Sequence, residues 1–279
     1  MKFDKDKLRI RDPYILAEDG KYYMYGTNNM ANSAACAGKT PGFSSFVSDD
    51  LVTFDGPYHA FDRPDGFWGE KAYWAPEVHK VDGAYYMFAT FFSEKDGRRC
   101  QILRSDNPLT GFTVWSEPIT PEGWWCLDGT LVQSGGKFYC IFCHEWLQVH
   151  DGEMWITELT PDLKAAKGEP KLLFRASEAP WKNARNDSGN YVTDGPFVHR
   201  NKNGALVMLW SSFGSGGYTQ GMLRHEGDDV TTGWSQIAEP LYSGGKPYLT
   251  LHAPNSENEH AHFIELRETA DALEIANKK

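Results

Sequence analysis

The chain has 279 residues, 41% of them hydrophobic and 24% charged, with a formal net charge of −10. That acidity repels phosphate backbones and excludes nucleic acid as a partner, and no stretch is apolar over the roughly 18 residues that a membrane-spanning helix needs. A chain of this length and composition can bury roughly 70–75% of its unfolded surface.

Residues 1–9 (MKFDKDKLR) are a charged lead-in without the apolar stretch of a signal peptide, so the expectation is a cytoplasmic chain. A pattern then starts that recurs to the end. Residues 11–27 read RDPYILAEDGKYYMYGT: a carboxylate beside a proline, a strand-like run, a turn ending in glycine, and an apolar strand. A loop rich in Gly, Ala, Ser and Asn follows over 28–42, then two further short strands to about Phe61. Residues 73–90 (YWAPEVHKVDGAYYMFAT) restart the pattern, and residues 100–119 supply its outer strands around the Asn107-Pro108 turn. The third unit opens with CLDGTLVQSGGKFYCIFC at 126–143, and the fourth with TDGPFVHRNKNGALVMLWSS at 193–212. A fifth, SGGKPYLTLHA at 243–253, keeps only the turn and the second strand.

About four short strands per unit, repeated every 40–65 residues without a helical period, predict a β-propeller. Five units predict five blades, the fifth shortened, in one domain spanning residues 1–279. Residues 2–10 are available to donate a strand that compensates for the short blade. Aromatic residues make up 14% of the chain. Most belong in a β-rich core, and a few are expected to stack on the C–H face of a sugar. The chain has five cysteines, and Cys140 and Cys143 mimic a C-x-x-C pair. They lie within one strand without a second pair at zinc spacing, so they read as strand residues.

Four units carry an acid 6 to 10 positions before the turn glycine: Asp12 before Gly20, Glu77 before Gly83, Asp128 before Gly136 and Asp194 before Gly204. If first strands are innermost, all four acids point to one end of a central channel. Carboxyls at close range raise one another's pKa, which lets one stay protonated while another is ionised. Glycoside hydrolysis needs such a pair.

Arg11-Asp12-Pro13-Tyr14, Trp74-Ala75-Pro76-Glu77-Val78, Asp128-Gly129-Thr130 and Asp194-Gly195-Pro196-Phe197, in this order and one per unit, resemble the motifs of glycoside hydrolase family 43. The resemblance covers almost the whole chain. It implies a five-bladed propeller and an inverting glycosidase acting on arabinosyl, xylosyl or galactosyl linkages of plant oligosaccharides or polysaccharides. It further implies Asp12 as general base, Asp128 as the residue that orients and tunes the acid, and Asp194 as general acid, with a pKa raised above the usual 3.9. Substrate contacts are expected from Arg11, Trp74, Glu77, Trp146 and Phe67.

Two departures stand out. The family's acid is usually Glu, and Asp194 is one methylene shorter, about 1.5 Å less reach, so Glu145 and Glu153 are alternative acids. The family's fifth-blade His, which often helps hold a calcium ion, has no counterpart before residue 243; His252 reads as a packed residue, and no metal or cofactor is required. These departures keep a second function open, a carbohydrate-binding propeller with weak or no hydrolysis. A WD-type interaction propeller is disfavoured, since no Gly-His…Trp-Asp repeat is present. Nothing in the residue pattern selects the sugar, the linkage or an oligomeric state.

Overall fold

A computed structural model describes residues 2–5, 8, 10–27, 41–183, 189–243 and 266–276. Its strands are antiparallel and follow the units read from the sequence. The first sheet contains β1 (Lys2–Asp4), β2 (Arg11–Glu18), β3 (Lys21–Thr27), β4 (Gly42–Ser48) and β5 (Thr53–Asp62), in the order β1-β5-β4-β3-β2. The second runs β6 (Lys71–Val81), β7 (Ala84–Ser93), β8 (Gly97–Ser105), β9 (Thr113–Val114). The third runs β10 (Cys126–Ser134), β11 (Lys137–His144), β12 (Glu153–Leu159), β13 (Ala166–Arg175). The fourth runs β14 (Asp194–Arg200), β15 (Leu206–Gly214), β16 (Gly217–His225), β17 (Trp234–Gln236), with β18 (Tyr242–Ser243) also paired to β16. A ribbon of β19 (Leu266–Glu268) and β20 (Leu273–Ile275) stands apart. One helical turn, α1 (Trp146–Val149), follows β11, and no helix among the described residues is long and apolar enough to cross a membrane.

The hairpin between the first two strands of each sheet closes on a glycine with positive φ: Gly20 at 73°, Gly83 at 83°, Gly136 at 74° and Gly204 at 91°. A side chain there would be strained, which is why the turn glycine recurs. Strand alternation then sends successive side chains to opposite faces. On β11, Ile141 and Cys143 join the cluster with Met154, Phe174, Met208 and Trp210 between the third and fourth sheets. Cys140 and Phe142 join Phe88, Cys100, Ile102 and Cys126 between the second and third. Phe91, Phe61, Phe43 and Tyr73 fill the interval between the first and second. Full burial of each such side chain contributes roughly 1.5–3 kcal/mol, so the sheets are held face to face as blades of a propeller.

The first strands β2, β6, β10 and β14 lie at the inner edges of their sheets, as predicted, and pack against one another. Tyr14 of β2 and Phe197 of β14 approach to 6.2 Å between ring centroids. The blade count differs from the expectation: four full blades are present among the described residues, not five. Ser243, read as the start of a fifth unit, belongs to β18 and pairs with Thr219 at the edge of the fourth blade. The remainder of that unit, His252 included, lies outside the described residues, as does Cys36. Residues 2–4 do donate a strand, but to the first blade, where Lys2 pairs with Asp55. Cys100, Cys126, Cys140 and Cys143 are free and buried.

Candidate active site

Each inner strand is broken at the same place by a bulge. The register skips between Arg11 and Tyr14, Trp74 and Glu77, Leu127 and Thr130, and Asp194 and Phe197. The second residue of each bulge has a left-handed backbone: Asp12 at φ 49°, Ala75 at 43°, Asp128 at 58° and Gly195 at 53°. Such a conformation costs a side chain about 1–3 kcal/mol, and Asp tolerates it better than most residues. Asp12 and Asp128 therefore occupy one equivalent position in blades 1 and 3. Asp194 occupies the position before it, equivalent to Arg11, Trp74 and Leu127. Glu77 comes two residues later, equivalent to Tyr14, Thr130 and Phe197. The four acids do not stand at matching places.

Hydroxyls on the second strands tie these bulges together. Thr27 Oγ1 donates to Asp12 Oδ2 at 2.6 Å and accepts the Ala75 N–H at 2.8 Å. Thr90, its counterpart in blade 2, accepts the Asp128 N–H at 2.9 Å. Cys143 stands at that position in blade 3, and the Gly195 N–H is instead donated to Asp128 Oδ2 at 3.0 Å. One Asp128 oxygen thus holds the peptide that follows Asp194. Asp194 Oδ2 accepts a hydrogen bond from the Tyr218 hydroxyl at 2.8 Å. Burial pushes that phenol well above its usual range, and the negative charges of Asp194, Asp128 and Asp12 push it further, so it is a neutral donor.

Arg11, Asp12, Thr27, Trp74, Leu127, Asp128, Glu145, Asp194 and Tyr218 line one open cleft of about 550 Å³. Five side chains expected at the site from the sequence are there: Arg11, Asp12, Trp74, Asp128 and Asp194. Glu145, an alternative acid, is there too. Burial raises the proton affinity of Glu145, the Arg98 guanidinium paired to it opposes the rise, and Asp128 adds to it. Arg98 in turn lies over the Trp74 ring, 4.4 Å from its centroid, a cation–π contact that fixes this wall of the cleft.

The other expected residues are elsewhere. Glu77 is buried and not among the residues lining the cleft; it accepts from Thr130 Oγ1 at 2.9 Å, with His79 Nε2 3.2 Å away. Phe67 is core, packed edge-on against Phe91 at 5.0 Å and against Phe61 at 5.7 Å. Trp146 begins α1 and is not among the cleft residues. Glu153 is held by Arg175 at 3.0 Å, His144 at 3.1 Å and Trp155 Nε1 at 2.9 Å and is not among the residues lining the cleft. Sequence reading missed Thr27, Tyr218, Leu127 and Arg98. Only Thr27 left a trace, since both MYGT and MFAT end in threonine. No group of three or more His, Cys, Asp or Glu side chains among the described residues is arranged to hold a metal ion.

The profile of glycosyl hydrolases family 43 matches residues 7–273. The chain belongs to this family. It resembles the endo-arabinase from Bacteroides thetaiotaomicron with a TM-score of 0.81 and 36% identity, covering 99% of this chain and 97% of that one. A thermostable family-43 glycoside hydrolase, at TM-score 0.78 and 20% identity over 97% and 93% of the two chains, shares the fold. A probable arabinan endo-1,5-alpha-L-arabinosidase C from Aspergillus flavus is 26% identical over 216 residues, 72% of this chain and 58% of that protein. The chain thus spans 58% of the length of that curated relative. An extracellular exo-alpha-(1->5)-L-arabinofuranosidase from Streptomyces chartreusis is 23% identical, over 84% of this chain and 71% of its own length.

Proposed function

We propose that this chain is an inverting glycoside hydrolase that cleaves arabinosyl linkages of plant polysaccharides and oligosaccharides, with α-1,5-linked arabinan as the leading substrate. The observation that carries this is the convergence of Asp12, Asp128 and Asp194 on one cleft beside Trp74. Family membership and the arabinan-directed names of its relatives support the choice of sugar. Asp12 takes a proton from water as the water attacks the anomeric carbon. Asp194 gives a proton to the departing glycosidic oxygen. Asp128 holds the acid's backbone through the Gly195 amide. Trp74 offers its ring to the apolar face of the sugar, and Arg11 offers donors to its hydroxyls. The ring is completed by a short fifth blade to which β19 and β20 belong. Leu266, Leu273 and Ile275 of that ribbon pack on Val207, Leu209 and Met222 of the fourth blade, which supports this.

The test is hydrolysis of arabinan, arabino-oligosaccharides and nitrophenyl arabinofuranoside, with the first-formed anomer read by NMR. Inverted product, and a loss of about 10²–10⁴-fold in Asp12→Asn, are the expected results. Sugar binding without turnover would instead make the chain a carbohydrate-binding propeller. Glu145 carries a second reading of the acid, because it lines the cleft with a raised proton affinity. Asp194→Asn decides between the two. If Asp194 is the acid, the variant keeps far more activity on the nitrophenyl sugar, whose leaving group needs no proton, than on arabinan. Equal losses on both transfer the role to Glu145.

A further inference from the structure

Asp194 has one side-chain torsion fewer than a glutamate and a shorter reach, so the direction of its carboxyl depends on what grips it. Two grips come from different blade elements. The peptide after it is held by Asp128 Oδ2, 3.0 Å from the Gly195 nitrogen. Its own Oδ2 is met at 2.8 Å by the hydroxyl of Tyr218. Tyr218 stands on β16, two strands away from β14, and is itself 6% exposed. Its ring is braced edge-on by Phe213 at 5.3 Å, its partner across the β15–β16 hairpin. The hydroxyl therefore reaches Asp194 from a fixed base.

We propose that Tyr218 is the positioning residue for the acid: its hydroxyl fixes the Asp194 carboxyl in the cleft and sets how readily it gives up its proton. This rests on Asp194 being the acid. A hydroxyl donor favours the ionised carboxylate over the protonated acid, so Tyr218 opposes the neighbouring charges that favour protonation. The charged and titratable groups around Asp194 are Asp12 and Arg11 from β2, Asp128 from β10, Cys143 from β11, Glu145 beyond it, and Tyr218 from β16. Burial keeps the Cys143 thiol protonated, so the negative charge here comes from the carboxylates. Tyr218 gives Asp194 a partner that does not itself titrate in the working range.

The experiment is the pH dependence of kcat/KM on an arabino-oligosaccharide for the wild type and Tyr218→Phe. Loss of the donor is expected to move the alkaline limb upward by about one pH unit. It is also expected to lower kcat on the oligosaccharide about tenfold, with little change on nitrophenyl arabinofuranoside. A Tyr218→Phe variant with an unmoved alkaline limb and equal losses on both substrates overturns the proposal. Replacement of Tyr218 by 3,5-difluorotyrosine, a stronger donor of nearly the same shape, provides a second measurement should the Phe variant not fold. It is expected to shift the limb downward, and an upward or absent shift counts against the proposal. Asp194→Asn on the same two substrates separates the outcomes. Equal losses there remove the acid role itself; selective loss there, with an unmoved limb in Tyr218→Phe, removes the positioning role alone.

Discussion

Thr27→Val is the most informative single change in the cleft. Valine keeps the shape and suits a strand, so the perturbation is the loss of one hydroxyl. That hydroxyl donates to Asp12 Oδ2 at 2.6 Å and accepts the Ala75 N–H at 2.8 Å, and Thr27 is 2% exposed. A hydrogen bond to a charged group contributes about 1.5–3 kcal/mol, and a buried amide left without an acceptor costs about 1–3 kcal/mol. Since one group serves both, a total near 3–4 kcal/mol is expected, or roughly 5–7 °C in Tm for a chain of this size. Asp12 would also lose its orientation, and a displacement of about 1 Å in a catalytic group can cost about 10²-fold in rate. Thr90→Val is the matched control, because Thr90 accepts the Asp128 N–H but holds no carboxylate in the corresponding way. Melting curves and kcat/KM on arabinan should show both variants destabilised, with the larger activity loss in Thr27→Val. Wild-type kcat/KM in Thr27→Val, or identical activity losses in the pair, would refute the assignment of Thr27 as the holder of Asp12.

Glu145→Gln tests the buried pair with Arg98. Because burial raises the Glu145 proton affinity in the folded state, wild-type stability from this group is full below the unfolded carboxyl value of about 4.3 and declines as pH rises through the folded value. Gln does not ionise, so the Tm of the variant relative to wild type should improve with rising pH; a difference that worsens would show that Arg98 outweighs burial. Trp74→Ala should raise KM at least tenfold and free Arg98 from its ring, while unchanged KM and Tm would deny the ring any role. Burial pushes the Cys100 thiol up to about 12 and the Cys126, Cys140 and Cys143 thiols well above their usual range. Native protein at pH 8 should therefore leave these four unalkylated by iodoacetamide, as read by peptide mass.

Much of the blade plan was legible because one turn recurs. Each first hairpin needs a glycine with positive φ, and a glycine among apolar strands is easy to see. The bulge was partly legible as well. Asp12 and Asp128 each lie eight residues before their turn glycine, and so does Ala75, whereas Glu77 lies six before and Asp194 ten. Equal spacing marks equivalent position, so the spacings of Glu77 and Asp194 were the sign that neither occupies the position of Asp12 and Asp128. Phe67 and Trp146 were chosen for nearness in sequence to a motif, but the direction of a ring is set by its neighbours: Phe67 turns into the aromatic cluster around Phe91. Glu153 could not be placed because its partners Arg175, His144 and Trp155 reach it from three strands. Tyr218 was hidden for the same reason, since strand pairing of β14, β15 and β16 is what brings it to Asp194. The start of the fifth unit was misplaced because Tyr242 and Ser243 resemble the start of a unit but complete the edge of the fourth.

Ala75 has the left-handed backbone that Asp12 and Asp128 also adopt, yet it carries only a methyl group. The ring therefore holds a pedestal on which no functional group stands. Its backbone is already bent, and its amide is already anchored by Thr27. Aspartate suits that conformation better than alanine, so a carboxyl could be mounted there with little cost to the main chain, and the opposing cost would be repulsion from its acidic neighbours. Backbone and chemistry are thus separable in this molecule. The blades furnish repeated mounting points: in blades 1 and 3 an aspartate there puts a carboxyl in the cleft, in blade 2 an alanine does not, and in blade 4 the carboxyl stands one residue earlier.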